Sequence, residues 1–203
     1  MERLDKIKKI GIFGGTFNPI HYGHLINLEF IREQYNLDKV ILIPAKMPVH
    51  KELSGSVQAA DRMEMVNLAV SDNKFFETSS IEIDRDSASY TIITVNELRE
   101  LYHDDELYLI IGSDSYNELD TWKSYEELLK SISLIVMLRP GSVVLRDDLP
   151  VVPGSVFITD SPLIDISSSL IRERISRGYT AKYLTPDAVI DYINRKGLYR
   201  IGI

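Results

Sequence analysis

Short apolar runs rich in β-branched residues alternate with segments of helical periodicity along this chain, and that alternation limits its fold more than any other feature. Ile7–Phe13 reads as a buried strand ending at Gly14-Gly15. Leu25, Leu28, Ile31 and Tyr35 then fall on one face of a helix over about Tyr22–Tyr35. Lys39–Ile43 is a second strand, stopped by Pro44, and Ala45–Gly55 lacks periodicity and reads as a loop. Ala59, Met63, Val66 and Val70 mark a second helix, Phe75–Ile83 a strand, and Ile92, Val95, Leu98 and Tyr102 a third helix. Leu107–Ile111 is a strand that stops at Gly112-Ser113-Asp114. Ser124 and Glu127 have capping-box spacing for a short helix over Tyr125–Lys130. Ile132–Leu138 and Val156–Thr159 read as the last strands. Ser167-Ser168-Ser169 precede a helical pattern over Leu170–Arg177 that Gly178 ends. Thr185-Pro186 opens a final helix as N-cap and first-turn proline, running to about Lys196.

Strands separated by helices of this length require right-handed crossovers and a mainly parallel sheet. The expected fold is therefore α/β, Rossmann-like and doubly wound, with helices on both faces. At 203 residues the chain is expected to form one domain, 1–203. In such sheets ligands collect outside the carboxyl ends of the strands. Gly14–His24, Pro44–Lys51, Gly112–Asp114, Arg139 and Ser167–Ser169 all follow strand ends or open helices, so the polar punctuation converges on one edge.

Composition excludes several classes of function. The absence of cysteine removes disulfide scaffolds, thiolate zinc sites and a cysteine nucleophile, and fits a reducing compartment. No signal peptide is found, and no stretch approaches the roughly 18 apolar residues of a membrane span. A cytoplasmic location is expected. The net charge of −7 disfavours general attraction to nucleic acid, so an anionic ligand needs a local cationic pocket.

The stretch Gly11–Leu25, GIFGGTFNPIHYGHL, has the means to make one. It is neither a Walker A loop nor a G-x-G-x-x-G fingerprint, but it keeps their physical logic. Gly14 and Gly15 let backbone approach a ligand, Thr16 adds a hydroxyl, and the following helix turns free N–H groups and its positive dipole end toward the crevice. His21 and His24 lie one helical turn apart and can face one anion; the plainer reading is that one or both merely cap the helix. A metal reading, with His50 as third ligand, lacks any cysteine or nearby acidic partner.

Gly14-Gly15-Thr16-Phe17-Asn18-Pro19-Ile20-His21-Tyr22-Gly23-His24 resembles the G-x-F-x-P-x-H-x-G-H signature of the nucleotidylyltransferase superfamily. Ile166-Ser167-Ser168-Ser169-Leu170-Ile171-Arg172 resembles its second signature, I-S-S-T-x-I-R. Within the superfamily the chain is most similar to bacterial nicotinate-mononucleotide adenylyltransferases, through Pro44-Ala45, Pro48-Val49-His50-Lys51, Tyr90-Thr91, Gly112-Ser113-Asp114, Trp122 and Leu138-Arg139-Pro140-Gly141. It departs from the pattern at Val49, where a second proline is usual, at Ser169 for threonine, and at Lys123, where many members have an aromatic residue.

The resemblance implies adenylyl transfer from ATP to nicotinate mononucleotide by direct in-line attack, with no covalent enzyme intermediate. It implies His21, His24 and Arg172 as the groups that handle phosphate charge. Gly14, Gly15, Thr16, Phe17, Gly112, Asp114, Ile166, Ser167 and Ser168 would bind ATP, Asp114 through ribose hydroxyls. Lys51, Thr91, Trp122 and Arg139 would bind the mononucleotide, Lys51 at its phosphate and Trp122 against the pyridine ring. Mg²⁺ would arrive with ATP, held mostly by phosphates and water. The expected partners are the two small-molecule substrates, with no nucleic acid and no membrane, and a homodimer is left open. Set against this are an adenylyltransferase for another phosphate acceptor, such as phosphopantetheine, and a regulatory module that binds ATP without chemistry. Without the resemblance, Arg172 beside Arg174 and Arg177 reads as a solvated basic face, the serines as N-caps, Asp114 as a turn residue and Trp122 as core.

Overall fold

The computed structural model describes residues 6–46, 57–138 and 145–200. Six strands form one parallel sheet: β1 (Lys9–Gly15), β2 (Lys39–Pro44), β3 (Phe76–Thr78), β4 (Glu106–Gly112), β5 (Ser133–Met137) and β6 (Val156–Ile158). Their order is β3-β2-β1-β4-β5-β6, so the sheet winds outward in both directions from the β1–β4 pair. That is the doubly wound α/β architecture expected from the alternation. The helices are α1 (Tyr22–Gln34), α2 (Ala59–Val70), α3 (Ile81–Asp84), α4 (Thr91–Leu101), α5 (Ser113–Asn117), α6 (Tyr125–Ser131), α7 (Ser168–Ser176) and α8 (Asp187–Lys196).

The pleat explains how near-continuous apolar strands serve two cores. Successive side chains point to opposite faces. Phe13, Val40, Leu42, Ile110, Ile135 and Met137 pack on one face with Leu28 and Ile31 of α1, Met65 and Val66 of α2, and Val189 and Ile193 of α8. The alternate residues Ile10, Ile12, Ile41, Ile43, Leu109, Ile111, Leu134 and Val136 pack on the other face with α4 and α6. A Cβ at Gly11 would stand 2.8 Å from Ile110 Cδ1 and 2.9 Å from Leu37 Cδ1, so any larger residue there would make these two buried side chains shift. Among the described residues, no helix is long and apolar enough to cross a membrane.

Five local expectations are corrected. The first strand does not end before the glycines but runs through Gly14 and Gly15. The strand expected over Phe75–Ile83 is only three residues, and Ile81–Asp84 coils into α3 instead. Buried Glu82 accepts from Thr94 Oγ1 at 2.8 Å, and Ser80 Oγ donates to Asp84 Oδ2 at 2.6 Å, so the alternating isoleucines serve a helical turn. Ser124 has a left-handed backbone (φ 51°) and makes no side-chain cap bond to α6, contrary to the capping-box reading. Pro186 is the N-cap of α8, while the hydroxyl of Thr185 donates to Ile20 O at 2.7 Å. In α2 the buried stripe is Arg62, Met65, Val66, Ala69 and Val70, and Met63 lies outside it. The helix α5, directly after Gly112, was not anticipated.

Candidate active site

The sheet order creates a crevice between the carboxyl ends of β1 and β4, where the winding reverses. The pairing of β1 with β4 ends at Ile12 and Leu109, and the two strands run on to Gly15 and Gly112 on either side of the crevice. Gly14 is exposed, with nothing within 4 Å of the position a Cβ would occupy.

From there the chain makes a tight loop into α1, and its carbonyls are held by donors from across the molecule. Ala45 N–H donates to Gly15 O at 2.9 Å and Arg62 Nη1 to Thr16 O at 2.7 Å. Arg172 Nη1 donates to Asn18 O at 2.8 Å, Ser168 Oγ to Pro19 O at 2.7 Å, and Thr185 Oγ1 to Ile20 O. Tyr199 Oη donates to Asn18 Oδ1 at 2.7 Å. The Asn18–Pro19 peptide is cis, and Phe17 has a positive φ of 47°, an uncommon backbone state outside glycine. The negative ends of these peptides are thus tied into protein, which favours an anion on the open side.

Both candidate histidines sit at the start of α1. His21 is its N-cap and His24 its N3 residue, in a reciprocal capping box. His24 Nδ1 accepts the His21 N–H at 3.4 Å, so the neutral ring carries its proton on Nε2 and keeps a donor. The rings stack at 3.6 Å between centroids. Phe17 is buried and meets His24 edge-on at 5.3 Å, with Phe13 behind at 5.8 Å, fixing that ring from below. Capping and ring stacking therefore coexist in the same pair. Gly23 leaves room for this, since a Cβ would stand 3.0 Å from His21 Nδ1 and 3.4 Å from Ile166 O.

The second signature lies against the first. Ser167 caps α7, its Oγ accepting from Leu170 N at 3.1 Å, so the N-cap reading holds for this serine. Arg172, one turn further, also donates from Nη2 to Ser169 Oγ at 3.1 Å. The Arg172–Asn18 and Ser168–Pro19 bonds bring two helix N-termini, those of α1 and α7, to one place. Neither carries an acidic residue in its first turn, so both positive dipole ends are left unopposed there.

The other expected positions divide. Asp114 is exposed in the first turn of α5, at the carboxyl end of β4. Thr91 opens α4 behind its N-cap Tyr90. Trp122 is half-buried and packs against the second core, with its neighbour Lys123 placing Nζ 4.3 Å from the Tyr90 ring centroid. Lys51, Arg139 and His50 lie outside the described residues. Reading along the sequence missed Arg62, Thr185 and Tyr199, whose partners are loop groups distant in sequence. Only Arg62 left a trace, a charged residue inside the apolar stripe of α2.

A cytidylyltransferase-like family model matches residues 12–174, a span that includes both signatures. The chain is 44% identical to a protein of Desulfitobacterium hafniense named "Probable nicotinate-nucleotide adenylyltransferase", over 96% of this chain and 97% of that relative. It is 43% identical to a Citrifermentans bemidjiense protein of the same name, over 94% and 98%. Among solved structures it is similar to a Plasmodium falciparum nicotinic acid mononucleotide adenylyltransferase complexed with NaAD, with TM-score 0.80, 22% identity, and coverage of 95% of this chain and 97% of that one. Alike along nearly its whole length to these relatives, the chain belongs to the nicotinate-nucleotide adenylyltransferase family of cytidylyltransferase-like enzymes.

Proposed function

We propose that the protein transfers the adenylyl group of ATP to nicotinate mononucleotide, giving nicotinate adenine dinucleotide and pyrophosphate in NAD biosynthesis. The carrying observation is the hydrogen-bonded junction at Asn18-Pro19, which sets the histidine pair of α1 beside the N-terminus of α7. A phosphate oxygen of the mononucleotide forms a bond to the α-phosphorus of ATP. The bond from that phosphorus to the β-bridging oxygen breaks, and pyrophosphate leaves with the electron pair. The nucleophile is already ionised, so no general base is required. Catalysis is positioning and charge stabilisation.

In this reading His24 donates from Nε2 to the phosphates, and His21 orients it from the N-cap. Arg172 forks toward the departing β- and γ-phosphates, and the α7 start supplies N–H groups. Gly14, Gly15 and Thr16 form the loop wall, and Asp114 accepts from ribose. Gly112 and Ile166 are assigned to the nucleotide walls, and Phe17 supports the loop from beneath. Thr91 and Trp122, with Lys51 and Arg139, are assigned to the mononucleotide. Among the described residues no three His, Cys, Asp or Glu side chains cluster as a metal cage. A Mg²⁺ ion entering with ATP is therefore assigned to phosphate oxygens and water, where it would neutralise charge.

Pyrophosphate release from ATP and Mg²⁺ tests this with an acceptor panel of nicotinate mononucleotide, nicotinamide mononucleotide and phosphopantetheine. Turnover with the first is expected. Turnover only with phosphopantetheine, or ATP binding without turnover, overturns the assignment.

A further inference from the structure

Arg62 is the one fully buried arginine among the described residues, at 0% exposure. Its Nη1 and Nη2 donate to two carbonyls, Thr16 O and Lys46 O, the latter at 3.0 Å, and its Nε has no partner. No described carboxylate pairs with it, whereas Arg32, Arg85, Arg146 and Arg177 each have one. The adjacent Asp61 is engaged elsewhere, by Tyr192 Oη at 2.7 Å and Lys196 Nζ at 3.3 Å. Tyr199, which donates to Asn18 of the same loop, is held neutral because burial pushes its phenol well above the ordinary range. A dry cation satisfied only by carbonyl dipoles is costly unless an opposite charge comes near. This cation lies directly behind the loop that faces the proposed polyphosphate.

We propose that Arg62 is a positioning residue whose charge, acting through the Thr16 carbonyl and the loop above it, takes the ATP polyphosphate as its counter-ion. This inference rests on the functional reading above. It assigns Arg62 a role no contact with substrate would reveal. Being buried, the charge is screened by salt far less than a surface lysine would be.

The test uses the full chain with Arg62→Lys, Arg62→Gln and Arg62→Met. Binding of ATP and of inorganic tripolyphosphate is measured by calorimetry, beside unliganded melting temperature and turnover. Lys keeps the charge and loses the fork, so affinity within about threefold of the parent is expected. Gln and Met lose the charge, and affinity for both probes should fall on the order of tenfold. Equal losses for Lys and Gln, or unchanged affinity in Gln or Met, overturn the proposal in favour of hydrogen bonding alone. If Gln and Met do not fold, Lys decides: retained affinity supports the charge role, and lost affinity or lost folding overturns it. Absent turnover in the parent chain counts against the functional reading. Parental turnover with indifferent variants counts against this inference only.

Discussion

At the scale of single residues, His24 joins packing to chemistry. Its Nδ1 is committed to the His21 backbone, and the stacked His21 ring and the edge of Phe17 help hold the imidazole. His24→Ala should lower kcat about 10²–10³-fold, the range for removing one donor from a developing phosphoryl charge. Circular dichroism should show the fold retained, because only half of the capping box is lost. A second expectation concerns Lys123, whose Nζ lies over Tyr90 at the start of α4. If its charge favours the nicotinate carboxylate, Lys123→Ala will reduce the ratio of kcat/KM for acid over amide acceptor. An unchanged ratio leaves the lysine to its cation–π contact. His21 and His24 were legible as a pair one helical turn apart, whereas Arg172 stood out only through the resemblance of Ile166–Arg172 to a family signature. Tyr199 and Thr185 were not legible, because a hydroxyl aimed at a side-chain amide or a peptide carbonyl more than 160 positions away leaves no local pattern.

Elements meet where short side chains, or none, let them. Gly23 is a clear case, since a Cβ there would press on both the His21 ring and the Ile166 carbonyl. Gly23→Ala should displace the His21 ring and cut kcat/KM at least tenfold, with a smaller effect on melting temperature, read by differential scanning fluorimetry beside turnover. A different joint opens the sheet. Asp38, just before β2, accepts the Lys9 backbone N–H and pairs with Lys6 Nζ, both at 2.9 Å. The backbone bond first, and Lys6 second, hold its carboxyl below the ordinary range. A carboxyl lowered by folding stabilises above its unfolded value of about 3.9, and that contribution fades as pH falls through the lower folded value. Asp38→Asn should therefore melt below the parent at pH 7, and the two melting curves should converge in acid. Element boundaries were read to within one residue at β2, β4 and β5, but the first strand was ended at the glycines that continue it. They were misread at Ile81–Asp84, where two isoleucines alternate as in a strand but Glu82 and Ser80 have helical partners.

Across the whole molecule, a chain of net charge −7 gathers two helix starts free of acidic residues at one edge of a parallel sheet. The alternation of elements was enough to require parallel strands on two cores. It did not order them, since strand order depends on which apolar faces meet after chain collapse. Ligand binding should report on the assembled edge. ATP at about a hundred times its dissociation constant should add about 2.7 kcal/mol. For a chain of this size that corresponds to a rise in Tm of roughly 5–10 °C. The loop that holds this edge together belongs to the first twenty residues, yet its fasteners are Arg62, Ser168, Arg172, Thr185 and Tyr199. On the ribosome, that loop emerges before any of these fasteners, and Asn18 must wait a further 181 residues for Tyr199. A nascent chain stopping short of residue 199 would carry both signatures and still lack a finished grip on the first.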